Sequence, residues 1–360
     1  MSPVQKATVE ANGDAWATDP ATYVCNGPYM ITEWVPGGYI VTAKNPNYWN
    51  ADAIKLDSIK WLLIEDSNAA YSAYQTSEAL MIKDVPTEEI PSLMNNAEFH
   101  IDPIIGTYYL SLNDSIEPFN NADVRKAMSL AIDRAYVANT LMQGTYMPAW
   151  NFMGPGWADP AGGDFMANAN GGAAYISEDY AANVAEAQAL MQKAGYSGSA
   201  DNLDLKITYS TNDAGYHKPL AEYLQSAYAD IGINMNIEVV EWASFTPKRR
   251  AGDYEMARNG WVMDYNDASN MIELLYSTNG NNDGKYNNPA FDRLYTQART
   301  CANDSVRTLL YHQMDSLMMH DAPVVVLYYD QTLRFAHKNI TGMRTNALGT
   351  LDLRYTKKDR

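Results

Sequence analysis

The sequence predicts a mixed α/β protein in which one domain is inserted into another. Three observations carry this. Leu205, Ile207 and Tyr209 alternate as a strand, Lys218 to Ile231 reads as a helix, and Ile233, Met235, Ile237 and Val239 alternate again. Strand, helix, strand at this spacing is a βαβ unit, with parallel strands and a right-handed crossover. The segment from roughly 110 to 325 carries its own helices and strands, and strand-rich sequence flanks it on both sides. Insertion of one domain into another gives that pattern, because both chain crossings then lie close together. The expected division is 1–108 and 327–360 in one lobe and 109–326 in the other.

The elements follow in order. Tyr29, Ile31 and Trp34, then Tyr39, Ile40, Val41 and Ala43, predict two strands around the turn Pro36-Gly37-Gly38. Ile59 to Ile64 alternates as a third strand, and Ser67 to Thr76 reads as a short helix with an Asp/Ser cap. Met81 to Val85 is a strand, Thr87 to Met94 a helix, and Phe99 to Asn113 a long extended segment. A strong helix follows: Asn120-Asn121-Ala122-Asp123 can supply its N-cap, and Val124, Ala127, Met128, Ala131 and Ala135 share one face. From Pro148 to Tyr180 the chain is rich in Gly, Pro, Asn and Ala, which predicts a long connection wrapped over a surface. Ala181 to Ala194 is a helix with Gly195 at C′. After the βαβ unit come helices at 270–276, 289–300 and 305–319, then an apolar strand from Val324 to Tyr329.

Bulk composition excludes several functions. At 360 residues and 46% apolar the chain can fill more than one core. A net charge of −17 argues against nucleic acids and anionic membranes, which need clustered Lys and Arg. No run of 18 apolar residues occurs, so no transmembrane helix is expected and no direct membrane insertion. The opening residues lack a basic stretch followed by an apolar one, and so do not read as a signal peptide. Twenty-six Tyr and 8 Trp against 7 Phe suit a wet binding cleft, since both combine contact area with a polar handle. Cys25 and Cys301 lie far apart in sequence and are expected to be free thiols.

Chemistry concentrates in Arg249 to Asp267, RRAGDYEMARNGWVMDYND. Tyr254, Met256 and 260–262 read as a strand edge, with a turn before it at Gly252-Asp253 and another after it at Asp264-Tyr265-Asn266-Asp267. Such an edge offers backbone N–H and C=O groups to which an extended peptide can add as a strand. The peptide's termini then need an anion and a cation, for which Asp264, Arg249 and Arg258 are candidates. A solvated rim of ordinary salt bridges is the competing reading. His217 is either a cap-region residue or a cationic or hydrogen-bonding contact, and Trp242 either a core or interface residue or a ligand wall.

No catalytic or metal constellation emerges. His100, His217, His312, His320 and His337 show no HExxH spacing and no Cys/His zinc pattern. There is no P-loop and no GxGxxG, and the pairs Asp264/Asp267 and Asp201/Asp204 are what abundant carboxylates produce by chance. No enzyme activity and no cofactor are expected.

Several motifs in register do carry a likeness. Asn26-Gly27-Pro28-Tyr29, Trp34-Val35-Pro36-Gly37, Lys44 to Trp49 (KNPNYW), Phe119 to Arg134 (FNNADVRKAMSLAIDR), Leu190 to Tyr196 (LMQKAGY) and Tyr286 to Leu294 (YNNPAFDRL) resemble the peptide-binding family of ABC-transporter solute-binding proteins, in its oligopeptide-binding branch. The resemblance implies a two-lobed periplasmic-binding-protein-like fold with mixed sheets, closing on a short extended peptide that is passed to an ABC permease. It implies a place outside the cytoplasm. It also implies residue roles: Asp264 for the peptide α-ammonium, Gly260 and Val262 as main-chain partners, Arg249, Arg258 and His217 as cationic positions for ligand carboxylates, Trp242 and Trp261 as pocket walls, and Tyr329 near the cleft.

The sequence departs from the family in places. Gly106 and Val262 stand where a member carries cysteines, so that disulfide is not expected. Ala268 replaces a common proline, and a lysine used by one member falls at Met142. Members carry roughly another third of chain before this start, so the first lobe is expected to be incomplete and to expose sheet edges. A non-binding remnant, or a binder of a dipeptide, nickel chelate or sugar, is the alternative on the same scaffold.

Overall fold

The computed structural model describes residues 4–169, 175–212 and 217–359. The strands that matter are β1 (Tyr29–Val35), β2 (Tyr39–Lys44), β3 (Ser58–Leu62), β4 (Met81–Ile82), β5 (Phe99–Leu112), β6 (Met147–Pro148), β7 (Leu205–Thr211), β8 (Ile233–Val239), β9 (Met256–Val262) and β10 (Val324–Ala336). The chain forms two compact units, Met1–Asp102 with Thr332–Arg360, and Pro103–Gln331. Both divisions fall inside long strands, β5 and β10, whose apolar pattern offers no break at which sequence could place a boundary. No helix among the described residues is long and apolar enough to cross a membrane.

In the first unit β1, β2 and β3 form an antiparallel sheet in that order. Gly37, at φ 70°, makes the β1–β2 turn that a side chain would strain. Helix Ser67–Gln75 starts at Asp66, whose side chain accepts from the Ala69 N–H at 2.8 Å. Its Ala70 and Tyr74 pack with Ile82, Val85, Ile90, Leu93, Phe99 and Phe335. Val35, Trp61, Leu63 and Ile64 stay 36–40% exposed around the three-stranded sheet, which gains no further strand among the described residues.

The second unit is built on a mixed sheet in the order β10-β5-β9-β7-β8, with β6 also on β10. β7 and β8 are parallel and joined through helix His217–Ala229, as the alternating apolar pattern predicts. Leu110, Leu112, Met256, Leu327 and Tyr328 are fully buried along its centre. Asn121 caps helix Ala122–Leu130 through the Asp123 N–H.

The motif around that helix proves to be structural. Arg125 and Arg134 are buried, and backbone carbonyls receive their guanidinium protons: Phe119, Asp321 and Ala322 for Arg125, and Ser129, Ile132 and Val326 for Arg134. A buried guanidinium is tolerable only when its donors are satisfied.

One expectation fails. The Pro148–Tyr180 segment is not a surface wrap: Ala149, Asn151, Phe152, Met153, Trp157 and Phe165 have no exposed area. No helix or strand forms from 149 to 157, where Gly154-Pro155-Gly156 interrupts the chain, so periodicity is no guide to the burial; residues 170–174 lie outside the described residues. Arg249 stands in the last turn of a helix, Trp242–Ala251, which the sequence reading did not include. Pro247 inside that helix is the breaker that hid it.

Candidate functional site

β9 is incompletely paired. On one side it meets β5 along its whole length, Met256–Val262 opposite Leu112–Gly106. On the other side β7 pairs only with Met256 and Ala257, and β7 ends at Thr211, one residue beyond the Ser210–Ala257 pair. From 258 to 262 the second edge therefore has no strand partner among the described residues. The Gly260 N–H donates to Asn259 Oδ1 at 2.9 Å, and the Arg258 carbonyl accepts from Arg249 Nη1 at 3.3 Å. A Cβ at Gly260 would come no closer than 3.5 Å to any neighbour, so the chain's own packing does not require glycine there.

Helix Trp242–Ala251 lies beside this edge. Glu241 caps it, and Gly252 ends it in the left-handed conformation at φ 79°. Trp242, Phe245 and Arg249 fall at i, i+3 and i+7, hence on one face. The Trp242 and Phe245 rings stack with centroids 5.9 Å apart. The Arg258 guanidinium lies 4.8 Å from the Trp242 ring centre and 5.5 Å from that of Phe245. Its Nε donates to Asn212 Oδ1, and no carboxylate pairs with it among the described residues.

Arg249 differs. Its Nε meets Asp283 Oδ2 at 2.9 Å, with side-chain exposures of 14% and 7%. Asn259 Nδ2 donates to the same oxygen at 3.3 Å. One of the two predicted arginines is thus neutralised inside the protein.

His217 is buried, with Nδ1 3.3 Å from the Tyr108 hydroxyl. Burial first, and then the Arg258 charge, lower its pKa to about 3. Such burial favours the neutral ring, and with it the hydrogen-bonding role over the cationic one.

At the far end of β9, Trp261 is partly buried and its Nε1 donates to Asn270 Oδ1 at 3.1 Å. The same oxygen accepts from the Asp264 N–H at 2.8 Å. Buried Asn270 thus fixes both the indole and the turn that presents Asp264. The Asp264 side chain is exposed, and no ion pair engages it among the described residues. Val262 is 39% exposed and stands opposite Gly106. The two positions where a family member carries cysteines are therefore register partners.

Tyr329 is buried rather than open. Its hydroxyl accepts from the Trp150 and Asn151 N–H groups and donates to the Asn151 carbonyl, at 3.2–3.3 Å. Burial raises its pKa to about 12. It ties down the segment that follows β6.

Asp264, Gly260, Val262, Trp261, Arg258, Arg249, Trp242 and His217 thus gather along or beside β9, while Tyr329 sits on β10. The sequence missed Asn212, Phe245, Asn270 and Asp283, uncharged or acidic residues whose value lies only in what they hold. Cys25 and Cys301 are free.

The fold is that of the periplasmic peptide-binding proteins, extracytoplasmic solute-binding components. Residues 1–283 match the description "Bacterial extracellular solute-binding proteins, family 5 Middle", and the chain belongs to that family. It is 28% identical over 353 residues to the dipeptide-binding protein DppE of Bacillus subtilis, covering 98% of this chain and 63% of that one. It is 31% identical over 338 residues to the periplasmic oligopeptide-binding protein OppA of Salmonella typhimurium, covering 91% and 59%. Among solved structures it resembles Haemophilus influenzae OppA in complex with RPPGFSPFR, at 25% identity and TM-score 0.83, over 99% of this chain and 69% of that one. It likewise resembles the Escherichia coli murein tripeptide binding protein MppA, at 26% identity and TM-score 0.84, with coverage of 99% and 69%. The chain spans about three fifths of the length of the sequence relatives it matches.

Proposed function

We propose that this chain binds short peptides in extended form along β9, as part of the solute-binding component of an ABC importer outside the cytoplasm, and that the importer's permease receives the ligand. The observation that carries this is the free edge from 258 to 262, with an exposed carboxylate at Asp264 beyond one end and the stacked guanidinium of Arg258 at the other. A strand edge gives main-chain affinity without reading side chains. Asp264 takes the peptide α-ammonium, and Arg258 takes a carboxylate. A ligand carbonyl replaces Asn259 Oδ1 as the acceptor for the Gly260 N–H. Trp242 and Trp261 flank the peptide side chains.

Of the alternatives, a dipeptide draws support from the name of one relative, DppE, and is itself a short peptide, while no observation favours a nickel chelate or a sugar. The reading includes no catalysis: binding ends in release of an intact peptide. Calorimetry with defined tripeptides and tetrapeptides tests it. Asp264→Asn leaves the ammonium without its counter-charge once the ligand has covered it, a loss of about 3–5 kcal/mol, or two to four decades in affinity. Unaltered binding by Asp264→Asn, or peptide cleavage seen by mass spectrometry, rejects the proposal.

A further inference from the structure

The direction of the β9 main-chain groups follows from its pairing. The Met263 N–H donates to the Ile105 carbonyl at 3.0 Å, and the Glu255 carbonyl accepts from the Asn113 N–H at 3.0 Å, both on the β5 side. Between them the register with β5 runs from Met256 to Val262 without a shift. Main-chain groups alternate sides along an antiparallel strand. Those of Ala257, Asn259 and Trp261 therefore face β5, and those of Arg258, Gly260 and Val262 face the free edge.

The protein itself occupies two of these outward groups. The Gly260 N–H donates to Asn259 Oδ1 at 2.9 Å, and the Arg258 carbonyl accepts from Arg249 Nη1 at 3.3 Å. One carboxylate oxygen steadies both covering side chains: Asp283 Oδ2 lies 2.9 Å from Arg249 Nε and 3.3 Å from Asn259 Nδ2. Asn259 and Asp283 are buried, so the amide is fixed in place rather than free in solvent. A donor and an acceptor that an added strand would answer are thus answered from within.

We propose that Asn259 sets the affinity of the edge by standing in for a ligand: its side-chain amide, held by Asp283, satisfies the Gly260 N–H until a peptide carbonyl displaces it. This rests on the reading of β9 as the peptide-binding strand and adds the control of that strand. Bare main-chain groups on an edge are a template for pairing with other chains. Masking them removes that hazard and weakens ligand binding, because one hydrogen bond must break before its replacement forms. The net worth of one such bond corresponds to about two- to tenfold in an equilibrium constant.

The test is calorimetry with one tripeptide on the native chain and on two variants. Asn259→Ala removes the acceptor, and Asn259→Leu removes it at similar volume. Both variants bind the peptide more tightly than the native chain, by about two- to tenfold. A side chain that only supports β9 gives the opposite sign, since its loss loosens the strand. The second readout is hydrogen exchange at the Gly260 amide, followed by nuclear magnetic resonance with isotope-labelled glycine. In the unliganded native chain this amide is protected. In either variant it exchanges faster, and saturating peptide restores its protection. Unchanged or weaker binding in every variant that keeps the native melt, or a Gly260 amide that exchanges freely in the unliganded native chain, overturns the inference while peptide binding itself stands. A native chain that binds no peptide removes the reading of β9 and this inference with it. The exchange measurement on the native chain needs no substitution, so misfolding of a variant does not leave the question open.

Discussion

The guanidinium of Arg258 stands 4.8 Å from the ring centre of Trp242 while its Nε donates to Asn212, so this cation is held in place without being neutralised by any described carboxylate. That state suits a group waiting for a ligand carboxylate. Arg258→Gln should weaken binding of peptides with a free C-terminal carboxylate by about tenfold or more, and affect their C-terminal amides little. Trp242→Ala removes a half-exposed cation–π contact of about 0.5–1 kcal/mol, a loss of roughly two- to fivefold. Calorimetry on the two peptide forms decides: equal losses for acid and amide would remove Arg258 from carboxylate recognition.

Arg249, nine residues earlier, should behave in the opposite way. Its ion pair with Asp283 is short and largely buried, and Asn259 shares the acceptor oxygen. Arg249→Met strands the carboxylate and should cost about 3–5 kcal/mol of stability. For a unit of this size that is a fall of roughly 6–20 °C in melting temperature. Replacing Asp283 by Leu in the same protein should recover much of it, because an apolar pair of similar volume leaves no buried charge. A melt unchanged by Arg249→Met, with affinity lost instead, would return Arg249 to the ligand site.

How far these roles were legible in the sequence follows from what each residue does alone. The βαβ unit, the capped helix at Ala122–Leu130 and the long strand β5 announce themselves through periodicity and cap chemistry, which are local. Asp264 and Gly260 stand in a turn and a strand that a short window can read. Helix Trp242–Ala251 could not be read, because Pro247 breaks the pattern and the stacking of Phe245 under Arg258 exists only once two elements meet. The charge state of His217 was out of reach for the same reason: burial decides it, and a helix start in sequence resembles an exposed cap.

His217 gives the acid limb of stability. Unfolded, the imidazole takes up a proton near 6.5; folded, burial and the nearby Arg258 hold it neutral until about 3. A depressed value of this kind contributes stability that is complete above 6.5 and is lost as pH falls towards 3. Two pH units below 6.5 the loss reaches about 2–3 kcal/mol. Urea unfolding of the native chain at pH 7 and pH 4.5 should show that decline, and His217→Asn, which cannot titrate, should show it reduced by a similar amount. Nuclear magnetic resonance of the His217 ring should find no protonation between pH 8 and pH 5. Because the ring stays neutral throughout that range, its contact with a ligand stays the same too, and peptides should bind with nearly constant affinity from pH 5.5 to pH 7, below the range in which their own α-amino group loses its proton. An imidazole that titrates near 6, together with a matching step in affinity for those peptides, would restore His217 as a cation.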